Sequence, residues 1–247
     1  MRTLVVLPTY NEAENIDTVL RRVRHVVPDA DILVVDDGSP DGTADLAEKV
    51  AAQTGRIEVL RRAAKSGLGS AYRAGFRIGL ARGYDALVEM DSDLSHDPDA
   101  LPDLLAAAAS GADLVIGSRY VAGGRIPNWP WYRLAISRGG NRFARSMLGL
   151  EVQDSTAGFR VYSRDALSAI ALDTVKAEGY GFQVEMTYRV HQCRLEIREI
   201  PIEFRDREFG TSKMSWRIVF EALVLVTWWA VRDRLGSSRG NRPAVSD

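Results

Sequence analysis

The chain has 247 residues, of which 46% are hydrophobic, and its formal net charge at pH 7 is −1. This length and composition allow one α/β domain with a substantial core, and the balanced charge excludes a globally basic nucleic-acid-binding protein. The single cysteine, Cys193, excludes an intramolecular disulfide and a cysteine zinc cluster. An apolar strand follows Met1 and Arg2 directly, which is not typical of a signal peptide and indicates a cytosolic protein.

Short β-branched runs alternate with helical stretches through the first half of the chain. The predicted strands are Thr3–Leu7, Ile32–Val35, Ile57–Leu60, Ala86–Met90 and Leu114–Gly117. The predicted helices lie between them, over Ala13–Val27, Thr43–Gln53, Gly69–Arg82 and Pro98–Ala109. Asp97 and Pro98 have the pattern of an N-cap and first helical residue. This alternation predicts βαβ units around a mostly parallel sheet that is flanked by helices.

Polar residues directly follow three of the predicted strands. Pro8 and Tyr10 follow the first strand, Asp36 and Asp37 follow the second, and Asp91–Asp93 follow the fourth. In open α/β sheets, ligands bind at the carboxyl ends of the strands. We therefore expect the three groups to share one edge of the sheet and to form a ligand site there.

Asp91 and Asp93 have the spacing of a divalent-cation site. In an extended backbone, residues i and i+2 point to the same side, so both carboxylates can face one ion. Mg²⁺ prefers oxygen ligands and usually shares them with substrate phosphates. A solvated turn is the alternative interpretation of this Asp-Ser-Asp motif.

The other two polar groups suit a nucleotide. Tyr10 can stack on a base, and the carboxylates of Asp36 and Asp37 can accept hydrogen bonds from base N–H groups or ribose hydroxyls. A turn that caps the next helix is the alternative interpretation of VDDGSPDG. A dinucleotide-binding Rossmann domain is disfavoured, because PTYNE contains no glycine and the G-x-G at 67–69 is followed by Tyr72 instead of a third glycine.

An acid-free basic segment lies in the middle of the chain. Between Arg119 and Leu150 there are six arginines and no Asp or Glu. Arginine suits phosphate because its planar fork can donate two hydrogen bonds at once. The aromatic residues between these arginines are Trp129, Trp131, Tyr132 and Phe143. The pattern fits single-stranded nucleic acid, anionic lipid headgroups at a membrane interface, or an ordinary solvated helix face.

Two further features lie toward the C-terminus. Arg207 and Lys213 flank a glycine-containing segment that could close over a diphosphate. The apolar stretch Ile218–Val231 is too short to span a bilayer. It suits a helix that lies on a membrane, docks on a partner or a second copy, or packs in the core. The predicted organisation is a catalytic domain over 1–214, an apolar helix over 215–235 and a disordered tail over 236–247.

Six motifs, taken in chain order, resemble those of the polyprenyl-phosphate mannosyltransferases, the dolichol-phosphate mannose synthase group of family 2 glycosyltransferases. They are VVLPTYNEAENI, VVDDGSPDGT, EMDSDLSHDP, DLVIGSRY, DSTAGFRVY and FRDREFGTSKM, and they run from about Leu4 to Met214. The resemblance implies a GT-A fold, a GDP-mannose donor and Mg²⁺ or Mn²⁺. It also implies a polyprenyl or dolichyl monophosphate acceptor. We expect the protein to be cytoplasmic and peripherally associated with the cytoplasmic face of the membrane.

The resemblance also implies roles for single positions. Donor binding falls to Pro8, Tyr10, Glu12, Asp36, Asp37, Asp91, Ser92, Asp93, Arg207 and Lys213. The positions that the resemblance implies for binding the acceptor phosphate are Arg119, Arg133 and Ser137. Metal binding falls to Asp91 and Asp93, with Ser95 in contact through water. The residues implied in catalysis are Asp91, Asp93, Arg119, Arg133, Arg207 and Lys213.

The implied reaction needs little help from a general base, because a phosphate monoester with a second pKa of about 6 is already anionic near neutral pH. One in-line displacement would invert the anomeric centre and give a β-linked mannosyl phospholipid, a lipid-linked sugar donor. Three alternatives stay open: the same transfer from UDP-glucose, a non-catalytic membrane-docking module, and a nucleic-acid-binding protein. The sequence also leaves open the isoprenoid length, the preferred metal, a membrane-protein partner and a homo-oligomer.

Overall fold

The computed structural model describes residues 1–206 and 223–232. Within these residues seven strands form one sheet of order β3-β2-β1-β4-β6-β5-β7, in which only β6 runs antiparallel to its neighbours. The strands are β1 (Thr3–Thr9), β2 (Asp31–Asp36), β3 (Ile57–Arg61), β4 (Ala86–Glu89), β5 (Leu114–Ser118), β6 (Arg160–Ser163) and β7 (Ile197–Pro201). The prediction of a mostly parallel α/β sheet is confirmed.

Helices pack on both faces of this sheet. They are α1 (Ile16–Val26), α2 (Thr43–Thr54), α3 (Leu68–Ala81), α4 (Leu101–Ala109), α5 (Trp131–Leu148), α6 (Arg164–Ala169), α7 (Gly179–Gln192) and α8 (223–232). The four helices predicted between the first strands are confirmed as α1 to α4. A 3₁₀ turn over Pro98–Ala100 precedes α4, and the Asp97 side chain accepts the N–H of Asp99 as a cap.

The core lies on both faces of the sheet, because successive strand residues point to opposite sides. Leu4 and Val6 of β1 face a cluster built with α3, α5 and α7. Val5 and Leu7 face a second cluster built with α1, α2 and α4. This double coverage explains why β1, β2 and β4 are nearly continuous apolar runs, as buried parallel strands require.

Strand β6 was not predicted, and its first residue explains why. Arg160 puts a charge at the start of the strand, yet its side chain is 0% exposed. The guanidinium donates to the carbonyl oxygens of Ser155, Ala157 and Gln183 at 2.7 to 2.9 Å. These bonds meet the requirement that a buried cation be hydrogen-bonded. A sequence pattern cannot show them, because one of the acceptors lies on α7.

Helix α8 packs on α7 through one face. Val226, Trp229 and Ala230 are buried, and the Trp229 ring stacks on Tyr188 with 6.1 Å between centroids. The opposite face is more exposed, with Trp228 at 54%. Residues 223–232 of the helix predicted over 215–235 are therefore helical, whereas 215–222, 233–235 and the tail 236–247 lie outside the described residues. In the part of the chain that the structure describes, no helix combines the length and apolarity needed to cross a membrane.

The close approach of α3 to the sheet yields a stability prediction. A Cβ atom on Gly75 would lie 2.4 Å from Cγ1 of Val6, so Gly75→Ala should lower the free energy of unfolding by about 1–3 kcal/mol. Gly139 on α5 has open space around a built Cβ, and Gly139→Ala should instead raise this free energy by up to about 1 kcal/mol. Urea unfolding of both variants measures the difference. Equal midpoints would contradict the close contact.

Candidate active site

A cavity of about 740 Å³ opens at the carboxyl ends of β1, β2 and β4. Predicted site residues from both halves of the chain line it: Pro8, Tyr10, Glu12, Asp37, Asp91, Ser92, Asp93, Ser95, Arg119 and Arg133. Asp36 and Ser137 are not among the lining residues, and Arg207 and Lys213 fall outside the described residues. The structure thus brings the aspartates and the arginines to one space.

Asp36 shapes the turn at the end of β2. Its Oδ1 accepts the N–H groups of Gly38 and Ser39, and its Oδ2 accepts the hydroxyls of Thr9 and Ser39. The residue is 1% exposed. With both oxygens used inside the protein, Asp36 fixes the loop that presents Asp37. The sequence did not distinguish these neighbouring carboxylates.

Asp37 and Tyr10 form the wall next to that turn. Asp37 accepts the N–H of Ser66 at 2.9 Å and lies 3.2 Å from Nε of Arg62. The ammonium of Lys65 lies 4.1 Å from the Tyr10 ring centroid. Lys65 also lines the cavity, although it was not among the site residues predicted from the sequence. The available signal was its place in the loop after β3, at the same edge of the sheet.

The Asp-Ser-Asp turn is held by its neighbours. The Tyr72 hydroxyl donates to Oδ1 of Asp91 at 3.2 Å, and the N–H of Asp91 donates to Nδ1 of His96 at 3.2 Å. The Ser92 hydroxyl donates to the carbonyl of Pro8 and so joins the turn to β1. Burial, together with the nearby Asp91 carboxylate, raises the pKa of Tyr72 well above its usual value. Tyr72 therefore stays a proton donor. His96 also lines the cavity and is a second site residue that was not predicted from the sequence.

The turn fits a hard divalent cation. Asp93 accepts the N–H and hydroxyl of Ser95 through Oδ1, so this serine supports the carboxylate. The Asp91 side chain is 28% exposed, and both aspartates line the cavity. Among the described residues, no group of three His, Cys, Asp or Glu side chains could hold a metal. Two carboxylates together with substrate phosphate and water are a typical Mg²⁺ environment.

Arg119 forms a buried ion pair in the opposite wall. Its Nε and Nη2 each donate to Asp154 at 2.7 Å, and its own backbone N–H adds a third bond to that carboxylate. Burial alone would lower the pKa of Arg119 and raise that of Asp154. The two opposite charges outweigh burial, so the arginine pKa rises and the aspartate pKa falls. Arg119 is thus a fixed, internally neutralised part of the wall.

Arg133 lies in the first turn of α5 with a different partner. Its Nη1 donates to Oδ1 of Asp206 at 2.7 Å, and its guanidinium carbon lies 3.9 Å from the ring centroid of Trp129. Ser137 lies one turn further along α5, where its Oγ accepts the Tyr120 hydroxyl at 2.7 Å. The part of the acid-free segment from Trp131 to Leu148 is a helix, and its first turn reaches the cavity through Arg133.

Below the turn, Glu89 ends β4 in a fully buried position. Gln183 donates to its Oε1, and the Tyr162 hydroxyl lies 3.5 Å from its Oε2. Burial raises the pKa of Glu89 from 4.5 to about 8, although the positive charge of Arg160 acts in the opposite direction. A protonated carboxyl under two acidic residues reduces like-charge repulsion within the site.

Comparisons of the chain with a family model and with known proteins point to the same family. Residues 4–171 match the glycosyl transferase family 2 model. The chain is 50% identical over 240 residues to the polyprenol monophosphomannose synthase of Mycolicibacterium smegmatis. This match covers 97% of this chain and 91% of the relative. The chain is 54% identical over 234 residues to the undecaprenyl-phosphate mannosyltransferase of Micrococcus luteus, which covers 95% and 96%.

Solved structures share the fold. Glucosyl-3-phosphoglycerate synthase from Mycobacterium tuberculosis, in complex with Mn²⁺, uridine diphosphate and glucosyl-3-phosphoglycerate, matches with a TM-score of 0.65, 22% identity and coverage of 95% of this chain and 80% of that chain. A mannosyltransferase from Pyrobaculum calidifontis, in complex with GDP-Man and Mn²⁺, matches with a TM-score of 0.64, 17% identity and coverage of 94% and 64%. The predicted GT-A architecture is confirmed.

The buried Glu89 predicts a pH-dependent stability. The unfolded chain releases this proton near pH 4.5, whereas the folded protein keeps it until about pH 8. The free energy of unfolding should therefore fall as pH rises between these values. Glu89→Gln mimics the protonated form. It should match the wild type at pH 5 and exceed it by more than about 1 kcal/mol at pH 8.5.

Urea unfolding in metal-free buffer measures both free energies. Glu151→Gln replaces an exposed carboxylate and should follow the wild type at both pH values. A constant difference between Glu89→Gln and the wild type would contradict a proton held on Glu89.

Proposed function

The chain belongs to glycosyl transferase family 2, in the group of polyprenyl-phosphate mannosyltransferases, and from that premise we propose that it transfers mannose from GDP-mannose to a polyprenyl monophosphate with inversion. The observation that carries this proposal is one cavity lined both by the Asp91 and Asp93 carboxylates and by Arg133. The acidic end suits a metal-bound diphosphate, and the basic end suits a second phosphate. Such a space accommodates two phosphate-bearing substrates together.

The nucleoside end is formed by Tyr10, Glu12, Asp37 and Lys65. Guanine presents an N1–H and an exocyclic amine side by side, which matches a carboxylate acceptor such as Asp37. Tyr10 offers a ring for stacking. Lys65, which lies against that ring, would move aside and donate to an acceptor on the base. Pro8 and Ser92 complete this wall.

Asp91 and Asp93 would hold Mg²⁺ or Mn²⁺. The ion, when bound, neutralises charge that develops on the departing nucleoside diphosphate. The protein's own contribution is to keep both carboxylates pointed at the cavity. Tyr72 and Ser95 do this by donating hydrogen bonds to them. Arg207 and Lys213, in the segment outside the described residues, would add positive charge at the same end.

The acceptor end requires orientation more than proton transfer. A phosphate monoester is already ionised near neutral pH. Arg133 would hold this phosphate through charge-assisted hydrogen bonds. Ser137 follows Arg133 on α5, and Arg119 lies in the opposite wall. Fixing the attacking oxygen lowers the entropic part of the barrier. A bond then forms from this oxygen to the anomeric carbon while the bond to the GDP oxygen breaks on the opposite face.

The start of α5 supports contact with a membrane surface. Trp131 is 80% exposed and Tyr132 is 56% exposed, and their rings meet edge to face with 6.3 Å between centroids. They directly precede Arg133, so an interface that receives these rings would bring lipid phosphate to the cavity. Tryptophan and tyrosine favour the headgroup region. We therefore propose that the enzyme associates peripherally with a membrane, on the cytoplasmic face as expected from the sequence, and meets its acceptor there.

The proposal is tested with purified protein, a polyprenyl phosphate in detergent and a panel of radiolabelled GDP-mannose, GDP-glucose and UDP-glucose. The expected product is a polyprenyl phosphate mannose formed from GDP-mannose, and mass analysis identifies it. Transfer from UDP-glucose in preference to GDP-mannose would replace the donor assignment. Oligonucleotide binding without any transfer would overturn the enzyme assignment.

Asp93→Ala should reduce mannose transfer by at least about a hundredfold, because one of the two carboxylate ligands is lost. The assay uses saturating Mg²⁺ or Mn²⁺ and both substrates. Asp103→Ala, on the exposed side of α4, is the matched control and should keep wild-type turnover. Near-normal turnover of Asp93→Ala would contradict the metal role.

Arg133→Ala should raise the acceptor KM by about tenfold or more and leave GDP-mannose affinity nearly unchanged, because the lost charge faces the second phosphate. Arg142→Ala, an exposed position on the same helix, controls for general effects on α5. Initial rates with varied acceptor, and separate titration with GDP-mannose, distinguish the two ends of the cavity. Lost donor affinity with an unchanged acceptor KM would reverse the assignment.

A further inference from the structure

The proposed acceptor end contains a carboxylate where a phosphate is expected to bind. Oδ1 of Asp206 accepts Nη1 of Arg133 at 2.7 Å and the indole N–H of Trp129 at 2.9 Å. All three residues line the cavity. An anion of this chain therefore already occupies the donors that an acceptor phosphate would use.

Arg119 and Arg133 both line the cavity, but they differ in how firmly each is held by its carboxylate partner. Arg119 meets both oxygens of Asp154, which is 0% exposed. A buried pair of this kind is costly to break. Arg133 meets one oxygen of Asp206, whose side chain is 44% exposed. Exposed pairs contribute little free energy, so another anion can displace Asp206 far more easily than Asp154.

Arg133 also has donor capacity that Asp206 does not use. Among the described residues, its buried Nε has no hydrogen-bond partner. A phosphate carries more charge than a carboxylate and has three strong acceptor oxygens, so it can take two guanidinium bonds where Asp206 takes one. Trp129 holds the guanidinium from its ring face, so Arg133 keeps its place when Asp206 leaves.

The backbone before Asp206 is anchored, which makes its position a property of the fold. The N–H of Arg205 donates to the carbonyl of Ser95 at 3.1 Å, and the N–H of Phe204 donates to the carbonyl of Arg125 at 2.9 Å. Ser95 belongs to the turn that carries Asp91 and Asp93. Asp206 is therefore delivered to Arg133 by a segment fixed to the acidic end of the same cavity.

We infer that Asp206 is an internal competitor for the acceptor-phosphate site: it holds Arg133 until a prenyl phosphate displaces it, and returns when the product leaves. This inference rests on the proposed function for the identity of the acceptor. Transfer converts a monoester that can carry two negative charges into a diester that carries one. The product therefore holds Arg133 less strongly, and Asp206 recovers it. Free phosphate and other weakly held anions are excluded by the same competition.

The test is calorimetric titration of the full chain with farnesyl phosphate, without sugar nucleotide. Asp206→Asn and Asp206→Ala should bind it more tightly than the wild type, on the order of fivefold, and inorganic phosphate should inhibit transfer by these variants at lower concentration. Glu203→Gln is the matched control, because its carboxylate pairs with Arg205 on the same segment and lies outside the cavity lining. It should bind as the wild type does.

Two results would overturn the inference. Weaker or unchanged binding by both Asp206 variants would mean that Asp206 orients Arg133 instead of competing for it. Equal tightening by Glu203→Gln would mean that any lost negative charge suffices. A wild type that binds farnesyl phosphate but transfers no mannose would contradict the proposed function alone, since the titration still decides the role of Asp206.

Discussion

The buried guanidinium of Arg160 is the interaction on which the basic half of the cavity depends. It donates to backbone carbonyls of Ser155 and Ala157 and to Gln183 of α7. The segment that it holds carries Asp154, which in turn fixes Arg119. The fully buried charge of Arg160 therefore orders the part of the cavity wall that carries the charge of Arg119. Such a cation persists because each of its three nitrogens donates a hydrogen bond to a protein oxygen.

The acidic half depends on topology instead. Parallel strands β1, β2 and β4 end at one edge and bring their polar residues together there, and hydrogen bonds such as that from Ser92 to Pro8 join the neighbouring strand ends. The two halves meet at Ser95, whose carbonyl accepts the N–H of Arg205. This bond links the turn that carries Asp91 and Asp93 to the segment that carries Asp206. The rings of His96 and Phe204 meet edge to face between the same two segments, with 5.6 Å between centroids.

The first half of the fold could be predicted because it follows from residues that are close in sequence. The second half depends on contacts between residues that are distant in sequence. Strands β1 to β5 and the Asp97 cap follow from residues close in sequence, and the edge they share follows from parallel topology. The difference between Asp36 and Asp37 depends on hydrogen bonds from Thr9 and Ser39, which no periodicity shows. Strand β6 begins with a charge whose partners lie on α7. The competing carboxylate of Asp206 depends on the path of the chain beyond β7.

Two glycines of α3 that face the sheet, Gly75 and Gly79, constrain how related sequences can differ. Gly75 faces Val6, and Gly79, one turn later, faces Leu87 with 2.4 Å from a built Cβ to Cδ2. Helix and strands touch where both glycines lie, so any added atom must be matched by one removed opposite. These two pairs should covary: a relative with alanine at either helix position is expected to carry a smaller residue on the facing strand. Divergence at this contact proceeds in compensated steps, while the open glycines of α5 can change alone.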